Sequence, residues 1–106
     1  MRFYALAELD VTDPGWVRSY VRDVTPMVEA HGGRYLARTT DVELVEGERG
    51  PRQILLLIEW PSKAAADGFY ESEEYRPYRE ARRSGSDGEF FLLSGEDVNG
   101  VARIEP

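Results

Sequence analysis

Two features of the sequence predict an α+β fold built on a single antiparallel sheet. The first is Ile54–Ile58, five consecutive apolar residues followed by Glu59, Trp60 and a proline. Such a run reads as a central strand that is apolar on both faces and needs cover on both. The second is the succession of periods along the chain: alternation, a three-and-four stripe, alternation, the apolar run, another helical stretch and a last strand. That succession is β-α-β-β-α-β. At 106 residues the chain suits one domain and is too short for two.

Arg2–Asp10 alternates, with Phe3, Ala5, Ala7 and Leu9 on one side and Tyr4, Leu6, Glu8 and Asp10 on the other. Thr12-Asp13-Pro14 opens a helix, because Asp13 can accept from orphan amides and proline suits the first helical position. Val17, Tyr20, Val21, Val24, Met27 and Val28 then form one helical stripe, with a kink expected at Pro26. Gly32-Gly33 ends this helix through a left-handed cap. Arg34–Thr40 is the second strand, with Tyr35, Ala37 and Thr39 on one side and Arg34, Leu36 and Arg38 on the other. Asp41–Val45 extends it or forms a short arm, and the charged, glycine-containing stretch Glu46–Arg52 reads as a mobile loop.

After the central strand, Ser62 caps a helix running through Ala64, Ala65, Ala66, Phe69 and Tyr70. Ser72 is expected to open a second helical segment carrying Tyr75, Tyr78, Arg79, Arg82 and Arg83, with Gly68 and Pro77 weakening the two pieces. Ser84–Gly88 reads as a turn-rich link and Glu89–Ser94 as the fourth strand. Residues 1–95 form the domain and residues 96–106 a polar C-terminal tail. The arrangement is ferredoxin-like: a four-stranded antiparallel sheet in the order 4-1-3-2, with the helices on one face. The other face is left bare and apolar, which marks an interaction surface. Two such faces closed on each other make a dimeric α/β barrel around an enclosed space.

Composition narrows the function. The formal net charge of −7 repels phosphate backbones, so nucleic acid is not an expected partner. The absence of cysteine removes disulfides, thiolate nucleophiles and cysteine-based metal sites, and fits a reducing compartment. No apolar run approaches the roughly 20 residues of a membrane span, and the first residues read straight into a strand, so a cytoplasmic location is expected. One histidine and no tight carboxylate spacing give no metal ligand set. Neither a phosphate loop, a nucleophile elbow nor a dinucleotide fingerprint is present, and no cofactor is expected.

Several stretches resemble a known family: Val11-Thr12-Asp13-Pro14, Ala30-His31-Gly32-Gly33-Arg34-Tyr35-Leu36-Ala37-Arg38, Ile58-Glu59-Trp60-Pro61-Ser62, and Phe69-Tyr70-Glu71-Ser72-Glu73-Glu74-Tyr75 followed by Arg79. In order and spacing they are similar to the bacterial domain-of-unknown-function family 1330, of the dimeric α/β-barrel superfamily. The resemblance runs to about Leu93 and implies the fold and a homodimer. It implies no reaction, since relatives in the superfamily include cofactor-independent monooxygenases, isomerases, polyketide cyclases and haem-degrading enzymes. The charged Glu46–Arg52 loop and the tail after Gly95 depart from the family pattern.

Six residues are candidates for a site. Glu59, at the end of the central strand, shares the face of Leu55 and Leu57, where Glu8, Arg34 and Arg38 are expected to converge. Carboxylates and guanidiniums there suit an acid/base site with Arg38 stabilising an anion, or equally a salt-bridge network that fixes sheet and dimer register. His31, the only histidine, is either an acid/base group at the barrel mouth or a helix C-terminal histidine packed under Gly32-Gly33. It is also the one residue that would ligate haem. Tyr70, Tyr75 and Trp60 either line a pocket for a small apolar or aromatic ligand or pack on the sheet. The expected function is a cofactor-independent small-molecule enzyme of isomerase, cyclase or monooxygenase type, acting by proton transfer in a dimer-enclosed pocket. Its rival is a non-catalytic ligand-binding or structural homodimer.

Overall fold

A computed structural model describes residues 1–98. Strand β1 (Phe3–Val11) leads through a 3-10 turn (Pro14–Trp16) into helix α1 (Val17–Ala30), strand β2 (Arg34–Thr39) and strand β3 (Ile54–Trp60). Helices α2 (Lys63–Tyr70) and α3 (Arg76–Ser84) follow, and strand β4 (Ser86–Ser94) closes the sheet. The sheet is antiparallel in the order β2-β3-β1-β4, with β3 and β1 at its centre. This is the expected α+β, ferredoxin-like topology.

Local chemistry sets the boundaries. Asp13 Oδ1 accepts from the Gly15 amide at 3.0 Å, and Pro14 begins the 3-10 turn. Ser62 Oγ accepts from the Ala65 amide at 3.1 Å to start α2. Gly32 adopts φ +90°, the left-handed conformation that reverses the chain after α1. Pro26 lies inside α1. The second helical segment begins later than expected. Ser72 instead shapes the preceding turn, where its hydroxyl accepts from the Tyr75 amide at 3.3 Å. Pro77 then sits in the first turn of α3, the one place in a helix where its missing N–H costs nothing.

The alternation of burial identifies the two faces of the sheet. Ala5, Ala7 and Leu9 on β1, with Leu56, Ile58 and Trp60 on β3, are buried beneath the helices. Val24 and Val28 of α1, Ala66 and Phe69 of α2, and Tyr75 complete this core. Aromatic rings run through it in sequence, with Trp60 stacked on Phe69 at 5.3 Å and Phe69 against Tyr75 at 4.3 Å. Two phenol contacts bind α1 to the following helical layer. Tyr20 and Tyr75 hydroxyls meet at 2.5 Å, and the Tyr78 hydroxyl donates to Asp23 at 2.7 Å. Arg22 and then Tyr78, both hydrogen-bonded to Asp23, hold its carboxyl down at about 2.

The opposite face carries Tyr4 and Leu6 of β1, Leu55 and Leu57 of β3, and Phe91 and Leu93 of β4, and no helix covers it. Phe91 is 48% and Leu93 44% exposed, so this apolar face is open to water in the single chain.

Three expectations need correction. First, β2 does not alternate cleanly: the pairing jumps from Tyr35↔Ile58 to Ala37↔Leu57, leaving Leu36 in a bulge. Beyond the bulge the faces exchange, so Ala37 joins Leu57 on the open face and Arg38 turns to the helix side with Leu56. Second, Asp41–Val45 does not extend β2, which leaves the alternative of a short arm, and the loop expected to be mobile is fastened by Arg52 to Asp10 (2.9 Å) and Glu89 (3.1 Å) and by Arg49 to Glu8 (3.6 Å). Third, β4 starts at Ser86, so most of the expected turn-rich link is strand paired with Val11, Asp10 and Leu9. Gly88 makes that pairing feasible, since a Cβ there would collide with the Glu8 carbonyl oxygen. The expected tail lies outside the described residues from position 99 onward.

Gly88→Ala should therefore cost about 2 kcal/mol or more of folding stability, because the obstacle is rigid backbone. Urea unfolding would measure it, and a midpoint shared with the parent protein would show that β4 and β1 have room to part.

Candidate functional site

The first turn of helix α2 carries Ala64, Ala65 and Ala66, small side chains, and Ala66 leaves space above the sheet. A cavity of about 280 Å³ fills that space, at the lower end of the range for ligand sites. Its walls are Ile58 and Trp60 from β3, Ala66, Phe69 and Tyr70 from α2, and Phe90 from β4. Consecutive β4 residues Phe90, Phe91 and Leu92 line it, so it reaches the free edge of the sheet. Asp67 and Tyr70 are the only lining residues with polar side chains apart from the Trp60 indole. Asp67 is tied to Lys63 Nζ at 2.6 Å.

Two of the six candidate residues, Trp60 and Tyr70, line this cavity. Tyr75 stands behind it, fully buried, in contact with both Phe69 and Tyr70 and hydrogen-bonded to Tyr20. Burial, and then Tyr75 beside it, push the Tyr20 phenol well above its ordinary value.

Glu59, His31 and Arg38 are not brought together. Glu59 lies on the open face between Tyr4 and Arg34, where its carboxylate meets Arg2 at 3.0 Å and Arg34 at 3.3 Å. His31 lies on the helix side, at the end of α1. Its Nδ1 donates to the Met27 carbonyl at 2.9 Å, and its ring meets Phe69 edge-on at 5.9 Å. A carbonyl only accepts, so Nδ1 carries the proton and the ring serves the helix terminus. Arg38 lies over the Tyr35 ring at 3.8 Å and donates to Thr25 Oγ1 at 2.8 Å. Within one chain the sheet therefore separates Glu59 from His31. The convergence of Glu59 with Arg38 expected from strand parity does not occur, because the β2 bulge turns Arg38 to the other face.

The far end of the open face holds a second charged group. Glu8 pairs directly opposite Glu89, with Asp10 beside them, and Arg52 and Arg49 of the loop offset the repulsion. Among the described residues, no three His, Asp or Glu side chains come together as a metal site. No helix among them is long and apolar enough to cross a membrane.

Sequence reasoning missed Ala66, Phe69 and Phe90 as cavity walls, although the alanine run at the start of α2 signals unfilled space. Arg82 was also missed: it is only 5% exposed. The signal was available, since no acidic residue stands three or four positions from it on α3.

Glu59→Gln should lower stability by no more than about 1 kcal/mol, since both its arginine partners are largely exposed. It should leave the affinity of any cavity ligand unchanged. Thermal melts and titrations of the same samples would check both, and a loss of binding with intact folding would return Glu59 to the site.

The model of a domain of unknown function, DUF1330, matches residues 2–96. Among solved structures, RPA0582, a protein of unknown function from Rhodopseudomonas palustris, superposes with a TM-score of 0.74 at 18% identity, over 91% of this chain and 83% of that one. SnoaB, a cofactor-independent oxygenase from Streptomyces nogalater, gives 0.63 at 14% identity over 91% and 94%. Rv0793 from Mycobacterium tuberculosis gives 0.54 at 17% identity over 92% and 97%. At these identities the likeness is one of fold. A search of curated proteins returned no match.

Proposed function

The chain belongs to the DUF1330 family, and from that premise we propose that it is a cytoplasmic homodimer that binds a small aromatic or apolar molecule in the cavity beneath α2. The cavity itself carries the reading: it is walled by Trp60, Phe69, Tyr70 and Phe90 and is nearly free of polar groups. Such a site selects flat, apolar ligands by shape and ring contact. Any turnover there is of the cofactor-independent, proton-transfer kind, in which the cavity holds the substrate and keeps water out. The fold shared with the oxygenase SnoaB supports this class. In this reading the Tyr70 phenol orients the ligand. Glu59 and its two arginines serve the sheet face.

The dimer follows from the open face. Six apolar side chains, Tyr4, Leu6, Leu55, Leu57, Phe91 and Leu93, lie there between a charged cluster at either end. An apolar centre with a polar rim is the anatomy of a protein interface, and a second copy supplies a matching one. The cavity lies on the helix side of the sheet and meets the open face only at Phe91, so a change on that face away from β4, such as at Leu57, separates dimerisation from ligand binding.

Ala66→Phe, which fills the cavity from α2, should abolish binding of 2-naphthol as read by Trp60 fluorescence while keeping or raising the melting temperature. Undiminished binding would place the ligand elsewhere. Leu57→Glu, in the middle of the open face, should yield a folded monomer by sedimentation while leaving naphthol binding in place. A wild-type protein that is already monomeric at micromolar concentration would remove the dimer.

A further inference from the structure

Arg82 of α3 is 5% exposed, and its Nε and Nη2 atoms have no hydrogen-bond partner. Among the described residues it has no carboxylate within ion-pair distance. Its surroundings are aromatic: the guanidinium carbon lies 5.0 Å over the Phe90 ring, with the phenols of Tyr75, Tyr20 and Tyr70 nearby. Arg79, one turn earlier, lies 5.2 Å over the Tyr70 ring. Unlike Arg82 it has partners, donating to the Tyr70 carbonyl at 2.6 Å and standing 3.5 Å from Glu80.

Phe90 and Tyr70 are also walls of the cavity. Arg82 thus stands against the Phe90 ring and Arg79 against the Tyr70 ring; neither lines the cavity itself, and Arg82 also borders a shallow cleft with Arg83, Ser86 and Asp87. A buried cation without a counter-ion is costly, and phenol oxygens and ring faces offset only part of that cost. The protein as a whole is acidic, with a net charge of −7, and the cavity carboxylate, Asp67, is already neutralised by Lys63. Arg79 is likewise paired with Glu80, so the positive charge near the cavity that lacks a carboxylate partner is that of Arg82, at the Phe90–Tyr70 end. We propose that the ligand of the cavity is an aromatic anion, a ring system bearing a carboxylate or ionised hydroxyl, with the negative group directed to the Phe90–Tyr70 end and attracted there, across the Phe90 ring, by the charge of Arg82. This rests on the cavity beneath α2 being the ligand site, and adds the charge of the ligand and the residue that selects it.

The test compares 2-naphthoate with 2-naphthamide, which have the same ring and nearly the same shape and differ in charge. Calorimetric titration of the whole protein at neutral pH should show naphthoate binding at least tenfold more tightly. In Arg82→Met that preference should fall to about one while the amide binds as before, and Arg82→Lys should keep part of it. Equal affinity of the two probes for the wild-type protein would overturn the inference and leave the cavity reading standing. So would a preference that survives Arg82→Met. Failure of both probes to bind would overturn the two together. Should Arg82→Met not fold, the wild-type ratio and the Arg82→Lys ratio decide.

Discussion

A central strand that is apolar on both faces has to be covered twice, and this chain has helices for only one side. Everything else in the molecule is arranged around that shortage. On the helix side, Leu56, Ile58 and Trp60 meet Val24, Val28, Ala66 and Phe69 and form a dry core. On the other side, Leu55 and Leu57 stand beside Leu6 and Tyr4 with only water above them. Each buried aliphatic side chain gains about 1.5–3 kcal/mol over an exposed one. A domain of this size has little stability to spare, so a face of this kind has reason to be sealed.

The division of the sheet into two faces also divides the chemistry. The ion pairs between strand ends lie on the open side: Glu59 with Arg2 and Arg34, and Arg52 with Asp10 and Glu89. The aromatic cavity lies on the other, and its wall is backed by arginines whose charge is spread over ring faces. Charges that satisfy one another hold a surface in register and leave little for a ligand. A charge held without a partner remains available to one.

Much of the architecture was readable from residues alone because it depends on local rules. Asp13 with Pro14, Ser62, and Gly32 mark helix ends through hydrogen bonds and φ preferences that reach only a few positions along the chain. The run Ile54–Ile58 announces its place at the centre of the sheet through composition. What escaped depends on partners distant in sequence. The bulge at Leu36 is decided by how β2 lies against β3, and one slipped residue sends Arg38 to the opposite face from Glu59. The early start of β4 depends on Gly88 meeting the Glu8 carbonyl. Of the six candidate residues, Trp60 and Tyr70 line a cavity, but it lies on the helix side of one chain and not in the expected space between two sheets. Glu59, His31 and Arg38 required knowledge of which face each strand end presents, which parity alone does not settle across a bulge.

The irregularity in β2 has one more effect. This strand forms an outer margin of the sheet, with a row of amide and carbonyl groups facing away from β3. A straight margin would template the addition of further chains and open a route to fibrils. Leu36 breaks the spacing of that row in its middle, and two arginines of the same strand, Arg34 and Arg38, place like charges on any chain that tries to join it. The protein is thereby left free to meet its own kind through the flat of the sheet and discouraged from doing so along its rim.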